Sequence, residues 1–288
     1  MASLKDIKRR IGSVENTQKI TSAMRMVAAA KLRRAQDAIL AARPYAQKMY
    51  ATLGEIGRRQ KDAEHPLLQA HETETVMEVI VITSDRGLCG AFNGNAIKAA
   101  DRAIKEKGSA FNEIVISTVG RKATEYYTKR QGVVRSWTGI ASVGFHDAVE
   151  IANHLSERYN AGEIDHALIV YNEFVSAMTQ KPNTDQLLPL SPAQEIADAG
   201  ATDPIPFEIE PDAAGLLNVL VPQALEFSIY RALLENQAGE HAARMTAMES
   251  ATRNTEDIIK SLTLKYNRAR QAAITRELVE IVSGAEAL

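Results

Sequence analysis

Cysteine is almost absent. The 288-residue chain has one, Cys89, so no disulfide can form within it and no cysteine-based zinc site can be built. A lone thiol fits a reducing compartment. Aromatic residues are scarce at 5 %, while alanine is abundant, which favours long helices over a β sandwich. No apolar run approaches the ~18–20 residues of a membrane span, so any membrane association is expected through partners. The opening MASLKDIKRR has no apolar core of a secretory signal and does not read as a transit peptide. Net charge is only −2, which argues against a chain-wide binder of polyanions.

Proline is missing from both ends. All nine prolines lie between Pro44 and Pro222, so long terminal helices are permitted. At the N-terminus Leu4, Ile7, Ile11 and Val14 are spaced at 3, 4 and 3 residues. The stripe is expected to resume one step around at Ile20, Met24 and Val27, then at Leu32, Ala35 and Ile39. Pro44 is a candidate kink, with the helix continuing to about Gly57. At the C-terminus Met245, Met248, Thr252, Thr255, Ile259, Leu262, Tyr266, Ala269 and Ala273 alternate 3 and 4 without a break, a coiled-coil seam. Ile274, Leu278, Ile281 and Ala285 continue on a shifted face. The spacing predicts a helix from Gln223 to Leu288, with Gly239 as its one unfavourable residue, a candidate soft point.

The middle has another rhythm. Val76–Thr83, Ile114–Val119 and Ala167–Tyr171 are short β-branched runs, with helical stretches at Ala96–Lys107, Lys122–Arg130 and Ala148–Asn160. That alternation predicts a parallel α/β sheet. Lys181–Asp185 (KPNTD) reads as a hairpin turn leading to Gln186–Leu190, and Ser191–Asp212 as a loop or linker. The expected division is 1–57 for the first helix, 75–190 for the α/β domain and 208–288 for the second helix. Neither helix buries its stripe alone, so the two are expected to pair antiparallel, with the α/β globe at one end.

Charge is uneven. Residues 1–43 carry ten Lys/Arg against three Asp/Glu, and residues 241–276 seven against three. Residues 181–240 carry two basic and ten acidic residues. A basic pair of helices with an acidic base suits partners of complementary charge. A solvated helix face and a basic arm gripping RNA are the alternatives. The rarity of aromatic stacking platforms speaks against nucleic acid.

Chemistry is hard to find. Gly87, Gly90 and Gly94 follow the first strand but fit neither G-x-G-x-x-G nor the P-loop pattern, so a structural turn is favoured over a phosphate site. Cys89 has no histidine near in sequence and reads as a small buried thiol. The six histidines show no metal-ligand spacing. Met24, Met26, Met245 and Met248, at helical spacing, read as core before partner surface.

Three stretches do point somewhere. Thr17–Lys31 reads TQKITSAMRMVAAAK, Ser84–Gly90 reads SDRGLCG, and Tyr266–Ala285 reads YNRARQAAITRELVEIVSGA. In order and separation they resemble the γ-subunit family of F-type ATP synthases, across essentially the whole chain. The resemblance implies an antiparallel coiled coil of long N- and C-terminal helices with an inserted Rossmann-like α/β domain. It implies a central rotor shaft without a catalytic site or cofactor, turned by a proton-driven ring of c subunits. Its partners would be three α and three β subunits, the ε subunit and the c ring, with no nucleic acid and contact with membrane only through partners.

Carried over residue by residue, Arg270 and Gln271 match positions that contact a catch loop of β. Met24 matches the position nearby on the opposing helix. Glu208, Glu210 and Asp212 fall in the segment set against the c ring and ε. Arg9, Arg10, Lys31, Arg33 and Arg34 are partner candidates on charge alone, facing acidic loops of β. The Val279–Leu288 tip, light in charge, suits an apolar sleeve. Ala91, Asn236 and Gly239 depart from the family's usual residues. With Cys89 alone, the cysteine-pair switch of chloroplast members is excluded. The lack of a transit peptide implies a bacterial chain at the cytoplasmic face of the inner membrane. The competing reading is a Rossmann-like nucleotide-binding enzyme with a helical oligomerisation hairpin, which predicts nucleotide or substrate binding by the chain alone but lacks its phosphate-loop signature.

Overall fold

The computed structural model describes residues 3–59, 65–191 and 212–286. The elements are α1 (Leu4–Arg59), β1 (Val76–Ile82), α2 (Phe92–Lys107), β2 (Glu113–Val119), α3 (Arg121–Tyr127), β3 (Arg135–Trp137), α4 (Phe145–Asn160), β4 (His166–Phe174), β5 (Gln180–Leu188) and α5 (Ala213–Glu286). They form two compact units, residues 1–29 with 244–288, and residues 30–243.

The first unit is a pair of helical segments. Ser3 starts α1, its hydroxyl accepting from the Asp6 N–H at 3.2 Å while the Asp6 carboxylate accepts the hydroxyl proton at 2.9 Å. Thr21 Oγ1 meets Thr252 Oγ1 at 2.8 Å, and Gln18 Nε2 donates to Glu256 Oε1 at 3.2 Å. Three residues back on α1 match four residues forward on α5, so the segments run antiparallel. Each expected seam position from Met248 to Ala273 is covered, while most of its neighbours are exposed.

The α1 stripe departs from expectation at two positions. The covered positions include Leu4, Ile7, Ile11, Val14, Gln18, Thr21, Met24 and Ala28, each 3 or 4 residues from the last. Ile20 and Val27 are 60 % and 57 % exposed. Small and hydroxyl side chains hold the seam because they let the backbones approach and satisfy their own hydrogen bonds. One of the two threonine hydroxyls donates to the other, and the second to a carbonyl of its own helix, Gln18 O for Thr21 or Met248 O for Thr252. Apolarity alone therefore misplaced the stripe at Ile20 and Val27, while Met24, Leu32, Ala35 and Ile39 are covered as expected.

The second unit is built on a five-stranded sheet of order β3-β2-β1-β4-β5. Its first four strands are parallel and β5 is antiparallel to β4. Met77, Val79 and Val81 of β1 point to a core with Ala100, Ala123 and Tyr127 from α2 and α3. Ile80 and Ile82 point to the larger core, with Ile151 and Leu155 of α4, Met49 and Leu53 of α1, and Val221 and Leu225 of α5. Burial on both faces explains the near-continuous apolar runs.

Three local expectations change. Lys181–Asp185 is not a turn but lies within β5, where Pro182 pairs with Asn172. Proline is tolerated there because β5 is an edge strand whose outer side needs no donor. The turn is Ser176–Thr179, closed by reciprocal backbone bonds of 3.0 and 3.2 Å. The short β3 was not expected, its exposed Arg135 and Ser136 masking the strand signal. Finally, α5 begins at Ala213, ten residues before Gln223, with Pro222 inside it. Interior proline costs about 3 kcal/mol. Burial of Leu217, Val221 and Leu225 offsets that, at roughly 1.5–3 kcal/mol each.

Candidate interaction surface

In open α/β sheets, ligands bind in the crevice beyond the carboxyl ends of the strands. Here that crevice is bounded by Ser84, Asp85 and Gly120 and covered by Leu233, Asn236 and Gln237 of α5. The space left is about 40 Å³, enough for a water and far too small for a nucleotide. Asp85 occupies the anion position itself. Its carboxylate accepts from the Arg121 N–H at the start of α3 (2.9 Å) and from the Gly139 N–H (2.8 Å). Gly120, at φ +90°, lies so close to the Thr83 carbonyl that any side chain would collide with it. Ser84 and Asn93 lock the rest of the turn, with Ser84 N donating to Asn93 Oδ1 at 2.9 Å and Asn93 Nδ2 donating to the buried Cys89 sulfur at 3.2 Å. SDRGLCG is thus a closed structural turn.

The two unusual residues of α5 also have packing reasons. Asn236 Oδ1 accepts from the Asn172 N–H at 3.3 Å. Gly239 brings α5 onto Phe92 and the Asn172 carbonyl. Other polar clusters are likewise internal. Glu78, fully buried on β1, meets Ser117, His154 and Arg158. Burial alone would raise the Asp165 carboxyl. Bonds from His71, Thr75 and Val76 overcome this and hold it down at about 2. Among the described residues no three His, Cys, Asp or Glu side chains are placed to hold a metal. No described helix is long and apolar enough to cross a membrane.

The remaining surface is on the helices. In the first unit Arg9, Arg10, Arg270 and Gln271 are exposed and Met24 is half-buried. In the second, Lys31, Arg33 and Arg34 are exposed on α1. None of these basic residues has an ion-pair partner among the described residues. Met24 lies one turn from the Thr21–Thr252 contact, whereas Arg270 is 18 residues beyond Thr252. At 1.5 Å per residue the helix pair sets them about 30 Å apart, so Met24 does not share a patch with Arg270 and Gln271. Asp212 caps α5, accepting from the Gly215 N–H at 2.6 Å. Glu208 and Glu210 lie outside the described residues.

Sequence reasoning missed part of this surface. Ile20, Met26, Val27, Ile258 and Leu264 are exposed, outside the seam. Ile274, Leu278 and Ile281, expected on a shifted face, are exposed as well, with Val282 beside them. Scattered exposed aliphatics are ordinary, but this many on one helical pair, interleaved with unpaired arginines, make it the candidate interaction surface. The available signal was the set of aliphatics that break the 3-and-4 alternation.

A paired-helix segment with an unsatisfied outer face, in one chain with a Rossmann-type sheet whose crevice is closed, defines an assembly subunit. The family profile described as ATP synthase matches residues 3–288. The ATP synthase gamma chain of Anaeromyxobacter sp. (strain Fw109-5) is 50% identical over 293 residues, covering 100% of both chains. That of Trichlorobacter lovleyi is 47% identical, covering 100% of this chain and 99% of its own. A chain of the Tetrahymena thermophila mitochondrial ATP synthase central stalk and c-ring matches with TM-score 0.60 and 27% identity, over 81% of this chain and 99% of that one. A chain of the Euglena gracilis mitochondrial enzyme in rotational state 3 shares the fold, with TM-score 0.66 and 23% identity over 99% and 94%. The chain belongs to the gamma-chain family of ATP synthases.

Proposed function

We propose that this chain is the central rotor shaft of an F-type ATP synthase. It couples proton-driven turning of a membrane c ring to ATP synthesis on a ring of three α and three β subunits. The carrying observation is the antiparallel helical pair, sealed along one seam and left apolar and basic outside. A shaft turning within a ring must slip between equivalent states. Many weak contacts suit that better than a deep specific pocket. Unpaired Arg9, Arg10, Lys31, Arg33, Arg34 and Arg270 supply a positive field for acidic loops of the ring. Met24 and Gln271 add short-range contact at two separate levels. Asp212, with Glu208 and Glu210, belongs to the segment toward ε and the c ring. The chemistry resides on β, and this chain transmits torque from the cytoplasmic face of the bacterial inner membrane, held there by its partners.

Gel filtration of the purified chain with α and β subunits tests this. One copy is expected to run with a three-to-three ring, and ATP hydrolysis to appear only in those fractions. Elution of the chain alone, with nucleotide turnover unaided, would overturn the reading.

A further inference from the structure

The second unit has an open trough that neither the sheet nor the seam uses, with a volume of about 550 Å³. Its floor on α1 is Ala38, Ala41 and Ala42, small side chains that leave the space unfilled. Its wall is aromatic. Tyr45 stacks on Phe227 with centroids 4.6 Å apart, and Phe145 stands 5.3 Å from Phe227 and 5.5 Å from Tyr230. In a chain with 5 % aromatics, four rings in one trough is a concentration that core packing does not need, since Tyr45 and Phe145 stay exposed.

The trough holds one charged side chain, Glu226. It is half-buried and has neither a hydrogen bond nor an ion pair among the described residues. Burial pushes its carboxyl up. The other polar group, Gln223, is already engaged, its Oε1 accepting from the Tyr45 hydroxyl at 3.1 Å. Aromatic faces around an uncompensated carboxylate recognise an organic cation, whose charge faces the ring π-systems and whose apolar body fills the space. The volume falls in the range of small-ligand sites, roughly 300–1,000 Å³.

We propose that the trough formed by Tyr45, Phe145, Phe227 and Tyr230 around Glu226 is a binding site for a small lipophilic organic cation. The site is independent of the rotor reading, because the full chain carries all of it.

Calorimetric titration of the full-length chain with tetraphenylphosphonium tests it. Saturable one-to-one binding is expected. Glu226→Gln, which keeps the side chain's shape, should weaken it by about tenfold or more with an unchanged circular dichroism spectrum. Neutral triphenylphosphine oxide should bind the wild type and Glu226→Gln alike. No saturable binding, or equal affinity of the wild type and Glu226→Gln for the cation, would overturn the proposal. So would binding by the free chain that disappears in the complex with α, β and ε, which would assign the trough to a partner subunit.

Discussion

Gly239 of α5 faces Phe92 of α2, so that a β-carbon on the glycine would stand 3.0 Å from the ring's Cε2. Phe92 is itself buried and has little room to yield. Glycine costs a helix interior about 1 kcal/mol relative to alanine. The close approach explains why the cost is tolerated. Gly239→Ala should therefore fail to deliver that gain, and Gly239→Val should destabilise by about 1–3 kcal/mol through overpacking. Urea unfolding of the three proteins decides it. An alanine variant more stable by the full helix-propensity gain would show that Phe92 moves aside.

Asp165 makes an acid-sensitive joint between the start of β1 and the chain before β4. Its folded pKa of about 2 lies below the ~3.9 of an unfolded carboxylate. A depressed pKa stabilises the fold above the unfolded value and is lost as pH falls through the folded one. The contribution, about 2 kcal/mol, is thus complete above pH ~4 and disappears toward pH ~2. Asp165→Asn should lower stability at pH 7 and flatten the loss between those limits. Unfolding midpoints at pH 7 and pH 3 measure both, and parallel pH profiles for the two proteins would contradict the assignment.

Arg158 neutralises Glu78 inside the larger core. Removing one partner of a buried pair costs about 3–5 kcal/mol, because the other charge stays behind. Arg158→Ala should fall near the lower end, since Ser117 and His154 still reach Glu78. The double variant Glu78→Leu/Arg158→Leu should recover much of the loss. Thermal and urea unfolding report this, and a double variant as unstable as the sum of its singles would show the pair uncoupled.

The architecture was legible wherever the signal was periodic over many residues. The 3-and-4 alternation from Met245 to Ala273 names the covered face of α5 position by position. The β-branched runs name β1, β2 and β4, because strands buried on both faces tolerate little else. Legibility ended where packing overrode local preference. Pro222 sits inside α5 because the residues around it are core, and Gly239 sits there because Phe92 lies opposite. Ile20 and Val27 are apolar yet outside the seam, which needed small or hydroxyl residues at Thr21 and Ala28. The candidate partner residues rest on charge and resemblance alone, since no single sequence separates an arginine awaiting a partner from one facing water. The aromatic trough was not legible at all, because Tyr45, Phe145 and Phe227 meet only in the folded chain.

The seam and the tip should differ in what they contribute. Leu262 lies on the covered side of α5, whereas Val279, Ile281 and Val282 are more than half exposed. Leu262→Asp places a carboxylate on the covered side of α5, between the two helices. A charge buried without a partner costs several kcal/mol, enough to separate the helical pair. Deleting Val279–Leu288 removes the exposed aliphatics proposed to meet a surrounding ring but leaves the seam intact. The deletion should therefore still co-elute with α and β subunits and hydrolyse ATP at a reduced rate. Leu262→Asp should elute apart from the ring, with no hydrolysis in its fractions. Were the deletion to abolish assembly while Leu262→Asp assembled normally, the tip rather than the seam would hold the shaft in place.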